Sequence, residues 1–268
     1  MPAVQMTRLK AQIGELAWQF TRPDEFQQAL TELFNYYAER TYRPGQAAQP
    51  VSLTQMYHLP PLIMRQLALD LSPYCVENPT AALALADQLW QDSYLEPRLV
   101  AVTLLGHIPL TPVEPLLERL QRWCQPAENK ELLDAIFRQA TRQLRRKMPD
   151  LWLAIIKGWL DDPRFPFQAM GLNALLPLIQ DHDYENLPPV FSSISPLLQS
   201  ALPAIQVELI AVISALARRT PKETVYYLRQ VLTVAQGAGA ERLIRKALLV
   251  FDPEDQASLR SALQTRPG

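Results

Sequence analysis

Three groups of basic side chains have the residue type and spacing for a chemical task. Arg138, Arg142 and Arg145 recur at i, i+4 and i+7, which predicts a row along one helix face, and Arg146 with Lys147 extends the charge at the helix end. Arg218, Arg219 and Lys222 surround a later inter-helix turn, and Arg242, Arg245 and Lys246 form another one-face group near the C-terminus. Rows of this kind suit the oxygens of a phosphate backbone. Each group taken singly also fits a solvated helix face favoured by the C-terminal dipole. In a stack of similar helix pairs, equivalent positions line up, and the groups would then merge into one basic track. Such contacts give position and affinity but little base specificity.

Other chemistry is sparse. His58, His107 and His182 are far apart and lack acidic or cysteine neighbours at ligand spacing, which argues against a metal site. With eight glycines and no Gly-Lys-Ser/Thr run, no phosphate-cradling loop is expected, and no cofactor is implied. Ser192, Ser193 and Ser195 read as loop residues that cap a helix, with no base nearby in sequence. Asp161-Asp162-Pro163 reads as a helix-ending turn, and Asp181, Asp183 and Glu185 around His182 as a polar inter-helix loop. Trp90, Trp123, Trp152 and Trp159 sit on apolar helical patterns and read as packing residues.

The elements that must position these side chains are helices. Thr111-Pro112-Val113-Glu114, Thr220-Pro221-Lys222-Glu223 and Asp252-Pro253-Glu254-Asp255 each offer an N-cap oxygen, a proline at the first helical position and an acid at the third. Apolar residues between the prolines recur at helical spacing, and no convincing alternating strand run is found. An N-terminal pair is predicted over residues 12–20 and 25–40, followed by a loop over residues 42–50 around Pro44-Gly45. Helical segments then follow closely from residue 53, in roughly five or six pairs with a period of about 35–45 residues. Residues 151–160 and 205–217 are apolar over most of their circumference and are expected to be sandwiched, whereas 132–146 carries a single apolar stripe. The expectation is an all-α fold, an α-solenoid of HEAT-like helix pairs. It forms one elongated domain, 1–268, made of an N-terminal pair and loop (1–52) and the repeats proper (53–268).

Composition is consistent with this reading. At 268 residues and 48% hydrophobic, the chain can bury a large core. A net charge of −1 excludes a surface that is basic throughout but permits a local basic face. Cys75 and Cys124 lie in or beside helical patterns and read as buried free thiols of a reducing compartment. The first twenty residues lack a signal-peptide apolar core, and no segment has the length and apolarity of a membrane span, so cytoplasmic residence is expected.

The stretch Asn129-Lys130-Glu131-Leu132-Leu133-Asp134, with residues 149–159 and 163–175 after it, resembles the central part of the DNA alkylation repair family, whose members are HEAT-like solenoids. The rhythm of residues 205–225 and 242–247 is similar to that family's last repeats, and the resemblance extends from about residue 81 to the end. In active members a Trp-Asp-x-x-Asp segment supplies an aromatic wall and a catalytic carboxylate. The resemblance puts Asp134 at the catalytic position and Glu131 at the preceding acid, while Lys130 stands where the tryptophan belongs. Phe165-Pro166-Phe167-Gln168 corresponds to an aromatic-then-paired-arginine segment whose arginines are missing, and small aliphatic residues around Ala215 replace a further tryptophan. A carboxylate without these supports is poorly arranged to stabilise a cationic departing nucleoside. Lys130 and Arg138, four residues on either side of Asp134, also fit an ordinary surface charge pattern. Three readings stand: a non-enzymatic scaffold on duplex DNA, an adaptor taking a protein partner in its concave face, and an alkylpurine glycosylase using Asp134.

Overall fold

The structure is a computed structural model and describes residues 5–38, 55–235 and 238–264. The loop predicted at residues 42–50 lies outside the described residues. Among the described residues the chain forms fifteen α-helices and no strand, apart from an isolated bridge between Gln55 and Tyr94. No helix among them is long and apolar enough to cross a membrane. The helices fall into two compact units, Met1–Gln143 and Leu144–Gly268.

The first unit holds α1 (Met6–Ala17), α2 (Pro23–Tyr37), α3 (Pro61–Glu77), α4 (Pro79–Trp90), α5 (Leu95–His107), α6 (Glu114–Trp123), α7 (Lys130–Ala135) and a π turn (Ile136–Ala140). The unit boundary falls within α8 (Arg142–Lys147). Helix α1 packs on α3, α3 on α5, and α5 on α7 and the π turn, while α2 packs on α4. Phe26, Phe34, Leu67, Leu85 and Leu89 fill the interior, each burial stabilising by about 1.5–3 kcal/mol. Helices α4 and α6 meet through the parallel indoles of Trp90 and Trp123, 4.2 Å apart, and through Asp87, which pairs with Arg119 and Arg122. These tryptophans are packing residues, as the apolar pattern predicts.

The second unit holds α9 (Pro149–Leu160), α10 (Phe165–Gln180), α11 (Pro188–Ser200), α12 (Gln206–Arg219), α13 (Pro221–Val234), α14 (Ala238–Ala247) and α15 (Pro253–Gln264). Helix α10 packs on α12 and α12 on α14, while α9, α11, α13 and α15 pack in succession. Trp152 is fully buried on α9, edge-to-face with Trp159.

Several local expectations need correction. Helix α6 begins at Glu114 with Pro115 in its first turn, so Pro112 is not its first residue. Asp252 does cap α15, accepting from the Asp255 amide at 2.8 Å, but Thr220 makes no side-chain cap bond to α13. Ser192, Ser193 and Ser195 lie inside α11 rather than in a loop. The Ser192 and Ser193 hydroxyls are satisfied by the carbonyls of Pro188 and Pro189, four residues back. Prolines also sit within helices, at Pro73, Pro177 and Pro196. Pro73 cannot donate to the Leu69 carbonyl, and the Ser72 hydroxyl does so instead at 3.0 Å. Val207 on α12 is exposed, so that helix is not enclosed on all sides. The helix expected to run unbroken over 132–146 is interrupted by the π turn, which admits an extra residue and resets the helical face.

Candidate nucleic-acid interface

The π turn decides what becomes of the first arginine row. Leu132, Ile136, Phe137, Ala140 and Leu144 are buried as the apolar stripe predicts, and Arg138 and Arg142 are exposed. Arg145 is buried, so the i, i+4, i+7 row does not survive as one exposed face. The turn packs tightly on α5. A Cβ on Gly106 would lie 2.6 Å from the Gln139 carbonyl oxygen, and the Gln143 amide donates to the Gly106 and Ile108 carbonyls at 3.2 Å.

Asp134, to which the resemblance assigns the catalytic position, is 57% exposed on α7, and the Arg138 Nε donates to both its oxygens at 2.8 and 2.9 Å. The pair is the i, i+4 surface bridge that the spacing predicts. Lys130 and Glu131 are exposed in the first turn of the same helix, whose start is capped by Asn129 accepting from the Glu131 amide at 2.8 Å. A solvated carboxylate clasped by its own arginine lacks the dry surroundings that cation stabilisation demands, and Lys130 stands where the resemblance expects the aromatic wall.

In the second unit the basic residues divide by what they already bind. Arg219 donates to the carbonyls of Ile179 at 2.6 Å, Asp181 at 2.7 Å and Tyr184, closing the C-terminal end of α10. Arg146 pairs with Asp181 at 3.5 Å and Asp183 at 3.4 Å, which occupies the acidic loop around His182. No group of three metal-ligating side chains occurs among the described residues. Lys222 ties α13 to α15 through Glu254 at 3.2 Å and the buried Asp255 at 3.0 Å. Arg245 makes a long contact of 3.5 Å with Glu241, and Lys246 reaches the Gln206 amide oxygen at 2.5 Å, across the α12–α14 contact. Arg218 and Arg242 are exposed and form no ion pair among the described residues. The exposed cations of α12 and α14 are therefore Arg218, Arg242, Arg245 and Lys246.

Sequence reasoning missed Arg164. It stands immediately before Phe165-Pro166-Phe167-Gln168, lies 4.0 Å over the Phe167 ring, and binds Asp162 at 2.8 Å. That pairing holds the Asp162 carboxyl down to about 2. Gln168 is buried and donates to the Asp162 carbonyl at 2.9 Å, so it shapes the turn. The signal was present in the Asp-x-Arg spacing, which builds an Asx turn with an arginine folded back on it.

No curated protein matches the chain. The model of the DNA alkylation repair enzyme family matches residues 62–247, from the first turn of α3 to the end of α14, starting earlier and ending sooner than the resemblance read from sequence. With most of its length matched, the chain belongs to the DNA alkylation repair enzyme family.

Proposed function

We infer that this protein acts by binding the DNA backbone, without efficient base excision, and that its helices are HEAT-like pairs. What supports the helical reading is the packing of most helices on their second neighbour along the chain within each unit. The observation that carries the binding reading is the exposed cationic surface of α12 and α14 in a member of a DNA repair family. There Arg218 and Arg242 have no carboxylate in ion-pair range among the described residues, and Arg245 and Lys246 hold only a long or neutral contact. In the first unit, Arg142 and the Arg138–Asp134 pair form a second, smaller basic group. Arg145, Arg219 and Lys222 contribute through the fold, because burial, carbonyl capping and ion pairing already use them.

Fluorescence anisotropy with a labelled duplex tests this. Arg218→Glu, Arg242→Glu and Lys246→Glu together are expected to weaken binding by tenfold or more, equally for unrelated sequences. Undiminished binding would overturn the assignment of this surface. Release of methylated purines, compared between wild type and Asp134→Asn, tests the catalytic half: both are expected at background. Robust excision lost only in Asp134→Asn would establish an enzyme and displace the scaffold reading.

A further inference from the structure

Helix α3 is apolar on two opposite sides. Ile63, Leu67, Leu71 and Cys75 are fully buried against the neighbouring helices. On the other side Leu62, Leu69, Pro73 and Val76 fall within about 60° of one another around the axis. All four are exposed, Leu69 and Val76 each by 59%. An apolar helix face ordinarily packs against a neighbour, yet this one is uncovered. The surface continues on both flanks. Toward α1, Phe20 packs on Tyr74 with ring centroids 5.6 Å apart, which brings the end of α1 beside α3, and Trp18 at that end is 83% exposed. Toward α5 lies a narrow cleft, too small to admit a side chain, lined by Met64, Leu67, Leu71, Val100, Leu104 and His107.

The charges around this surface are unequal. Arg65 is exposed on the cleft side of the stripe, and Arg142 acts electrostatically on His107 at the cleft's end. Neither arginine has a carboxylate within ion-pair distance among the described residues. Asp70 and Glu77 border the stripe on the α1 side, and Asp70 is engaged by the Gln66 amide at 2.8 Å. The cleft side therefore has unanswered positive charge next to uncovered apolar area.

We propose that the exposed α3 face docks an amphipathic helix of a partner protein that carries acidic residues along the flank facing Arg65. Leucine-type side chains at i, i+3 or i+4 and i+7 would lie along Leu62, Leu69 and Val76, the way apolar anchors of a helix seat in a groove. Charge complementarity fixes which way round the helix lies and speeds its arrival. Neither Arg65 nor the apolar stripe of α3 belongs to the cations assigned to DNA, so the two readings stand or fall independently.

The probe is a designed, fluorescein-labelled helical peptide with leucines at that spacing and glutamates along one flank, beside a twin with lysines in place of the glutamates. The protein is expected to bind the acidic peptide at least tenfold more tightly than the basic one. Leu69→Asp is expected to abolish that binding and Arg65→Glu to invert the preference, with helical circular dichroism and duplex DNA affinity unchanged in both variants. Equal binding of the two peptides, or none, overturns the proposal. So does concentration-dependent dimerisation in sedimentation that Leu69→Asp removes, which would make a second copy the occupant. Flotation with vesicles of mixed phosphatidylcholine and phosphatidylglycerol, lost in Leu69→Asp, would assign the face to a lipid surface instead.

Discussion

His107 is half-buried at the end of α5, and burial, aided by the positive field of Arg142, lowers its pKa below the ordinary 6.5. The unfolded chain therefore takes up the proton first as pH falls. The fold has its full stability above about pH 6.5 and loses part of it on acidification, until the folded imidazole also protonates. The urea midpoint is expected to drop between pH 7 and pH 5, and His107→Gln is expected to flatten that segment of the curve. A profile identical in the variant would mean that other groups carry the acid sensitivity. The thiols follow the same logic. Burial pushes Cys75 up to about 12 and Cys124 higher still, so native protein is expected to resist aromatic disulfide reagents at pH 8, with both groups reacting once urea unfolds the chain. Burial of both cysteines is legible in their apolar surroundings. The state of Arg219 is not, because its three carbonyl partners lie 35 to 40 residues away in sequence.

At the scale of elements, glycines of opposite consequence separate local propensity from packing. Gly158 in α9 has nothing within 4 Å of an added Cβ, so Gly158→Ala is expected to stabilise by up to about 1 kcal/mol through helix propensity. Gly106 in α5 faces the backbone of the π turn at 2.6 Å, and backbone cannot rotate aside. Gly106→Ala is expected to destabilise by about 1–3 kcal/mol despite the same propensity gain, because the turn must move or α5 must retreat. Thermal unfolding of the two variants checks both signs. The contrast also explains why the sequence over 132–146 reads as one continuous helix. Its apolar stripe repeats as an uninterrupted helix would, and the π turn accompanies a contact made 33 residues away, by Gly106 on Gln139.

For the molecule as a whole, the net charge of −1 means that any affinity for DNA has to come from a local surface acting against a nearly neutral background. The logarithm of duplex affinity is expected to fall linearly with the logarithm of salt, with a slope of about −3 to −4 if the four exposed cations of α12 and α14 each neutralise one phosphate. Reversing Arg242 alone is expected to make that slope shallower by about one. A slope near zero would remove phosphate contact as the basis of binding.

Helix content, the apolar stripes, the buried thiols and tryptophans and the Asp134–Arg138 pair follow from the sequence by itself, since each depends on spacing within a few turns of one chain segment. Family membership was legible too, through the rhythm of the repeats and the segment ending in Asp134. Tertiary structure alone decided which basic residues remain open to a ligand. Arg138, Arg145, Arg219, Arg242 and Lys222 look alike in sequence, but one is clasped by a neighbouring acid, one is buried, one caps a distant helix, one bridges two helices, and Arg242 stays uncommitted among the described residues. The reason is physical: a guanidinium or ammonium group takes the nearest acceptor that folding delivers, and most of those acceptors arrive from 30 to 40 residues away.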